Sequence, residues 1–319
     1  YYNRVTKSRL TESLRAFHNL VVKKQLITAV SNRGDSLIDF AVGKGGDFPK
    51  WIASKLGFIF GIDISNDNIE NKLDGACARY LNYRKQYKIM PYALFVTGDS
   101  SKNIKDNTAI NTSRDKLTTN AIFGAGPKSE DKLGKGVIRQ YGKGIKGFNI
   151  SSCQFALHYF FENRHTCEGF FKNVAECTQL GGYFIGGCYD GSLIFNDLKK
   201  KKQGESLIIM NGDKKVWEVT KDYNRDKFLP DVSSLGYAIN VYQESINKTF
   251  RECLVNFDYL VNIMEKFGFV PLPDEEARDV GLNTGIGSFK DLYNKLENDV
   301  KRKPYLKKDI GKSLDMSTE

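Results

Sequence analysis

The chain has 319 residues, with 48 lysines and arginines against 38 aspartates and glutamates and a net charge of +10 at pH 7. That length buries a full core in one large α/β domain or two small ones, and the positive balance favours an anionic partner, although solubility alone accounts for such a charge. Six cysteines without a CxxC pair and only three histidines argue against a zinc cluster, no apolar run nears the roughly 20 residues that cross a bilayer, and no signal peptide opens the chain.

In chain order, residues 4–30 place Leu10, Leu14, Phe17, Leu20, Val21, Ile27 and Val30 among basic residues at near-helical spacing, which predicts an amino-terminal helix. Residues 37–63, LIDFAVGKGGDFPKWIASKLGFIFGID, then read as strand, glycine turn, helix, strand and acid. Asp47 stands where a helix cap belongs, and Pro49 falls in the first turn, where proline is tolerated. Glycine allows the backbone to bend tightly and approach a ligand, and a carboxylate about 20 residues further on accepts from a ribose diol. A dinucleotide motif would need glycine at Phe48, so a nucleoside without a pyrophosphate, such as S-adenosylmethionine, fits the spacing better. An ordinary βαβ turn with glycines for geometry alone is the plainer alternative.

Ser65 opens a second predicted helix with Ile69, Leu73, Ala76, Tyr80 and Tyr83 inward, and a third strand at 92–97 runs into Gly98-Asp99-Ser100-Ser101-Lys102. Residues 103–147, rich in Asn, Thr, Lys and Gly, predict a flexible surface insertion. A fourth strand at 148–153 leads into QFALHYFF, a helix is expected over 167–179, and a fifth strand over 183–188. Five strands alternating with helices predict a parallel sheet with helices on both faces. Beyond it, 206–210 and 215–220 flank Asn211-Gly212-Asp213 as a β-hairpin, an insertion spanning 204–222. Lys199–Lys202 reads as a solvated face or as a phosphate contact. Strands at 237–244 and 248–251, an amphipathic helix over 257–267, a strand over 269–272 and a loosely held polar tail over 301–319 complete the reading. Cys77, Cys153, Cys167, Cys177, Cys188 and Cys253 lie mostly in apolar runs, as reduced thiols do in a cytosol-like compartment. A start at Tyr1 rather than methionine suggests a domain of a longer polypeptide.

Seven strings, in order, carry a resemblance: FHNLVVK (17–23), DFAVGKGGDFPKW (39–51), GIDIS (61–65), Arg79-Tyr80, GDSSK (98–102), CQFALHYFF (153–161) and RECLVNF (251–257). Over about residues 10–272 the chain resembles the mRNA cap guanine N-7 methyltransferases. The resemblance extends to the methyltransferase domain of a multifunctional capping enzyme of a large cytoplasmic DNA virus, of the African swine fever virus kind. It implies a class I, Rossmann-like α/β fold over 1–319 as a single domain, mostly parallel sheet with helices on both faces plus the hairpin elaboration, residues 1–35 closing over the cofactor. It implies S-adenosylmethionine as cofactor and GpppN-capped RNA as substrate, other domains of the same polypeptide as partners, no membrane, and a host cytoplasm or virion setting. Guanine N-7 carries an in-plane lone pair and loses no proton, so no metal and no general base is expected; alignment of the reacting atoms is the protein's task.

Site roles follow from the same resemblance. Lys23 and the backbone of Ala41 to Gly43 would hold the methionine carboxylate, Asp63 would accept from the ribose hydroxyls, Asp99 with Ser100 would read the adenine edge, and Gln154 would close over the methionine end. For the cap, Asn19 would touch the ribose, Lys44 and Arg79 would face the phosphates, and Phe155, His158, Tyr159 and Glu252 would surround the guanine, the carboxylate accepting from N-1 and the exocyclic amine while His158 meets O-6. Tyr293 is the nearest candidate for a further cap-contacting tyrosine. Read without the resemblance, His158 among aromatic neighbours is a core histidine and Glu252 a structural acid; Phe160 and Phe161 are core. Ala41 replaces a glycine common in the family, and Asn149 a common aspartate. Two other readings stay open: a catalytically silent cap- or RNA-binding stimulatory subunit, and a methyltransferase acting on another RNA base or on ribose.

Overall fold

Apolar runs without alternation mark strands covered on both faces, and FIFGID is such a run: all six of its residues are buried. The computed structural model describes residues 11–244 and 246–315; the predicted helical start over 4–10 lies outside them. In it β1 (Ser36–Asp39), β2 (Phe58–Asp63), β3 (Tyr92–Thr97), β4 (Phe148–Gln154) and β5 (Thr178–Gly187) form a parallel sheet in the order β3-β2-β1-β4-β5. Ahead of β1 come α1 (Glu12–Ala16), a π-helical stretch (Phe17–Lys23) and α2 (Lys24–Ala29) without a break. Then α3 (Phe48–Ala53) follows β1, α4 (Asn66–Glu70) and α5 (Ala76–Gln86) follow β2, α6 (Ser113–Ile122) and α7 (Glu130–Ile138) follow β3, and α8 (Arg164–Cys177) follows β4. The strand order runs outward from β1 to β3 and then reverses to β4 and β5. That reversal opens a crevice at the carboxyl ends of β1 and β4, where α/β sheets of this kind bind ligands.

The chain divides into two compact units. One holds Val30–Cys188 with Ile263–Phe269; the other holds the segment ending at Ala29, Tyr189–Asn262 and the segment from Val270. The core of the first is aromatic: Phe40, Phe48, Trp51, Phe58, Phe60, Phe148, Phe161, Phe170 and Phe171 are wholly enclosed. Edge-to-face pairs such as Phe40 with Phe170, 5.4 Å between centroids, and the stacked Phe160 and Phe170, 3.9 Å apart, fill it. Phe160 and Phe161 thus belong to the core as the sequence indicated.

The loop after β3 is clamped from α8. Asn173 is fully buried and gives its amide to the carbonyls of Ser100 (2.8 Å) and Lys102 (2.6 Å) while accepting from the Ile104 amide (3.0 Å). Gly169, one turn earlier, lies so close that a Cβ there would stand 2.0 Å from the Ser101 carbonyl oxygen.

Several expectations in this unit need correcting. Residues 103–147 are not a featureless excursion. Thr112 caps α6 by accepting from the Asp115 amide at 3.1 Å, and Ile104, Ala109, Ile110, Ala121 and Ile122 are buried. The second helix is two, because the Asn71 side chain accepts from the amides of Leu73 and Asp74 and turns the chain between them; Leu73 is left 81% exposed. Ser65 does cap the first of them, accepting from the Asn68 amide at 3.3 Å.

In the second unit α9 (Gly191–Asp197) precedes an antiparallel sheet of β6 (Ser206–Asn211), β7 (Lys214–Lys221), β8 (Ala238–Gln243) and β9 (Lys248–Cys253). Phe195, Leu198, Val219, Tyr237, Ile239 and Val241 are among its buried residues. The expected hairpin is present, but Asn211 pairs with Lys214, so the two turn residues are Gly212 and Asp213, one position later than Asn-Gly. After α10 (Phe257–Lys266) the strand predicted over 269–272 is absent, since Pro271 and Pro273 have no amide to give a ladder. Next come α11 (Asp274–Asp279), α12 (Phe289–Arg302) and α13 (Lys307–Ile310). The described part of the tail is not loosely held: Ile310 and Leu314 pack on Phe17, Val21, Val22, Tyr293 and Leu296. Among the described residues no helix is long and apolar enough to cross a membrane, and no three His, Cys, Asp or Glu residues are placed to hold a metal ion.

The clamp makes a signed prediction. Alanine in place of glycine inside an open helix stabilises by about 0.5–1 kcal/mol, whereas Gly169→Ala should destabilise by about 1–3 kcal/mol because the methyl meets backbone. Urea unfolding measures the sign.

Candidate functional site

At the carboxyl ends of β1, β2 and β3 the structure gathers the acids and glycines that the sequence singled out. Gly43 and Gly45 adopt φ of +55° and +68°, a region open to glycine at no steric cost, and a Cβ on Gly45 would lie 2.4 Å from the Phe48 ring. Asp63, the last residue of β2, accepts from the Gly43 amide at 2.8 Å through one oxygen. Its other oxygen accepts from the Ser65 amide at 2.9 Å and the Asn68 side chain at 3.0 Å. A carboxylate offers about four acceptor positions, so Asp63 holds the turn in place and keeps capacity for a ligand hydroxyl. The Ala41 amide is turned to Asp39, 3.1 Å away.

After β3, Asp99 accepts from both the amide (3.0 Å) and the hydroxyl (2.7 Å) of Ser101, and Lys102 stands 3.5 Å from its second oxygen. Ser100 donates its hydroxyl to the Phe40 carbonyl at 2.7 Å, tying this loop to the end of β1. Its side chain therefore joins two loops, and its hydroxyl proton is committed to the backbone.

Gln154 ends β4. It is 7% exposed, and neither its amide oxygen nor its nitrogen has a hydrogen-bond partner among the described residues. An amide buried in that way costs about 1–3 kcal/mol, a cost relieved by a ligand that pairs with it. Phe155 follows at φ +57°, strained for a bulky side chain, with its amide held by the Gly187 carbonyl at 2.9 Å. A 3-10 helix, Leu157–Phe161, then carries His158 and Tyr159, whose ring centroids lie 4.2 Å apart. Burial pushes the His158 pKa down to about 3, so the imidazole is neutral at pH 7, one nitrogen a donor and the other an acceptor.

Lys44 and Arg79 meet at the glycine turn: the Arg79 guanidinium donates to the Lys44 carbonyl at 2.9 Å. The Lys44 ammonium is enclosed and ion-paired with Asp74 at 2.7 Å and Asp67 at 3.2 Å. Asp47, expected as a helix cap, makes no cap hydrogen bond; it pairs instead with buried Lys50 at 2.8 Å, because an ammonium in a dry site needs a counter-charge more than an amide needs a cap.

In the other unit, Glu252 lies on β9 opposite Ile239, and burial raises its pKa to about 7. Asn19 and Lys23 sit in the π-helical stretch, a form frequent at functional sites; the Asn19 amide donates to the Arg15 carbonyl at 2.9 Å. Beside them burial, and then the Lys23 charge, hold His18 down to about 4. Tyr293 is a correction. It is 3% exposed within the Phe17 cluster and donates its hydroxyl to the Leu314 carbonyl at 2.9 Å, so it packs and anchors the tail where a cap contact was expected. Sequence reasoning missed Asn68, Asn173, Asp67 and Asp74; only the Ser65-x-x-Asn68 spacing hinted at any of them.

The site fits S-adenosylmethionine on its own chemistry: a carboxylate with an acceptor position left on a glycine turn, a second acid after β3, and a buried, unpaired amide at the end of β4. A family model described as the mRNA (guanine-N(7))-methyltransferase domain matches residues 2–312. Among curated relatives, a "Probable mRNA-capping enzyme" of Acanthamoeba polyphaga mimivirus is 30% identical over 300 residues, 92% of this chain and 24% of that protein. An mRNA cap guanine-N(7) methyltransferase of Arabidopsis thaliana is 28% identical over 236 residues, 72% of this chain and 53% of that one. Its counterpart in Saccharomyces cerevisiae is 26% identical over 256 residues, 80% and 50% respectively. The chain thus spans a quarter to half of the length of these relatives.

Replacing the unpaired amide separates ligand from fold. Gln154→Leu should melt no lower than the parent, because it removes a buried unpaired amide, yet bind S-adenosylhomocysteine about tenfold more weakly by calorimetry.

Proposed function

The chain belongs to the mRNA (guanine-N(7))-methyltransferase family, and on that premise we propose that it methylates N-7 of the guanine of GpppN-capped RNA with S-adenosylmethionine as donor. The observation that carries the reading is Asp63, which holds the glycine turn at 2.8 Å and retains room for a ribose hydroxyl. When bound, S-adenosylmethionine supplies an electrophilic methyl group; the protein's residues do the rest by binding and orientation.

In the parallel-sheet unit Asp63 accepts from the ribose, Asp99 and the Ser100 backbone face the adenine edge, Gly43 and its neighbours approach the methionine carboxylate, and Gln154 pairs with the methionine end. Lys23 adds a cation for that carboxylate. Phe155 and Tyr159 flank the guanine, neutral His158 donates to O-6, and Glu252 accepts from N-1 and the exocyclic amine. Only guanine offers that donor and acceptor pattern. Lys44 and Arg79 contribute charge toward the triphosphate, and Asn19 a contact to the cap ribose. The N-7 lone pair lies in the ring plane and no proton leaves, so holding nucleophile and methyl at near-attack distance is the lever on the barrier.

Partners follow from the same reading. Capped RNA is the substrate, and the greater length of the mimiviral relative motivates further domains of one polypeptide as neighbours. Six thiols, none in a disulfide, suit a reducing compartment such as a host cytoplasm.

Labelled cofactor with GpppA or ApppA tests the reading directly: label is expected on GpppA alone, and equal labelling of both, or of neither, contradicts it. Absence of S-adenosylhomocysteine binding by calorimetry would favour the silent-subunit alternative. Because Glu252 must be ionised to accept two hydrogen bonds and titrates near 7, kcat/KM on GpppA should fall as pH drops from 8 to 6. Glu252→Gln should lose that pH dependence and retain roughly a tenth to a hundredth of the activity, with S-adenosylhomocysteine affinity unchanged.

A further inference from the structure

Asp67 in the first turn of α4 and Asp74 in the turn between α4 and α5 are two carboxylates whose place in the fold the methyl-transfer reading leaves unexplained. Asp67 and Asp74 both reach the Lys44 ammonium, at 3.2 and 2.7 Å. The lysine side chain is 5% exposed, whereas the Asp67 and Asp74 side chains are 59% and 38% exposed. The cation therefore lies inside and the two anions lie between it and solvent. This arrangement is built rather than incidental: Asn71 donates to Asp67 at 2.7 Å and accepts from the Asp74 amide at 3.3 Å, so one side chain sets both acids. Arg79, on the helix that follows, is fastened to the Lys44 carbonyl at 2.9 Å.

We propose that Asp74, assisted by Asp67, is an internal competitor for the cap triphosphate: it neutralises Lys44 while no cap is bound and must be displaced before a phosphate meets that ammonium. This rests on the assignment of Lys44 to the phosphates. The physical consequence is a substrate affinity lower than the lysine alone would give. An incoming triphosphate gains the attraction of Lys44 only after breaking a partly exposed ion pair, and it is repelled by two carboxylates at short range. In return, the free protein never holds a buried ammonium without a counter-charge, a state that desolvation strongly disfavours. A phosphate chain offers the charge needed to replace the carboxylates, and a short, singly charged anion offers less. Asp74 is thus a specificity-determining residue that favours the multiply charged triphosphate bridge.

Steady-state kinetics of Asp74→Asn on GpppA, with inorganic tripolyphosphate as a competing inhibitor, tests this. The expected result is a KM for GpppA about fivefold lower, the change that loss of one partly exposed ion pair corresponds to, with kcat unchanged and tripolyphosphate inhibiting more tightly. In a Lys44→Met background the same substitution should leave KM unaltered, since the pair it acts through is gone. A KM that is unchanged or raised by Asp74→Asn in the parent, or an equal change in both backgrounds, overturns the proposal. Asp67→Asn, read in the same way, serves if Asp74→Asn fails to bind S-adenosylhomocysteine like the parent: a lowered KM supports the competition and an unchanged or raised one refutes it. Should the parent chain fail to methylate GpppA at all, it is the functional reading that falls; an active parent with an insensitive Asp74 variant rejects the competition alone.

Discussion

A single carboxylate organises the ligand end of the parallel sheet. Asp63 reaches back 20 residues to the Gly43 amide while holding Ser65 and Asn68 beside it. Without that bond the turn after β1 would carry an unsatisfied amide in a left-handed conformation, and the backbone that approaches a cofactor would have no fixed course. Because the strands are parallel and adjacent, with Asp39 of β1 opposite Gly61 of β2, the two loop ends are delivered to one place by the sheet itself. The glycines make the turn possible, and the acid makes it singular.

In each unit the fold spends stability on holding some groups in states that burial or sterics disfavour. Gln154 is buried with its amide unpaired, Phe155 sits at positive φ, His158 is held neutral by burial, and Glu252 in the other unit is held near its midpoint at neutral pH for the same reason. Features of this kind persist where surrounding structure over-determines them. The wholly enclosed aromatic residues under the sheet and the Asn173 clamp on the loop after β3 supply that rigidity. The proposed transfer to an in-plane nitrogen asks for no proton relay, so fixed acceptors and neutral donors are the groups such chemistry needs.

Much of this was legible in the sequence, and for a physical reason. Strands covered on both faces are mostly apolar, so β2 and the largely buried β3 could be read within a residue, and Ser65 announced its cap. Groups that depend on distant partners could not be read. The resemblance turned Lys44 toward the phosphates, but nothing near it in the chain announced Asp74, thirty residues on, which holds its ammonium at 2.7 Å. Tyr293 could not be told from a ligand contact because the carbonyl it bonds, Leu314, lies in a tail that composition alone marks as polar. Residues 103–147 misled in the same way: their polar faces are exposed, while the few apolar residues that anchor them, Ile104, Ile110 and Ile122, are too scattered to announce a core.

Asp63 is proposed to serve the turn and the nucleoside together. A crystal structure of this chain with S-adenosylhomocysteine tests it most directly. A ribose hydroxyl is expected within hydrogen-bond distance of the Asp63 carboxylate, with the bond from the Gly43 amide retained. An adenosine bound elsewhere, or an Asp63 whose acceptor positions all stay within the protein, would contradict it.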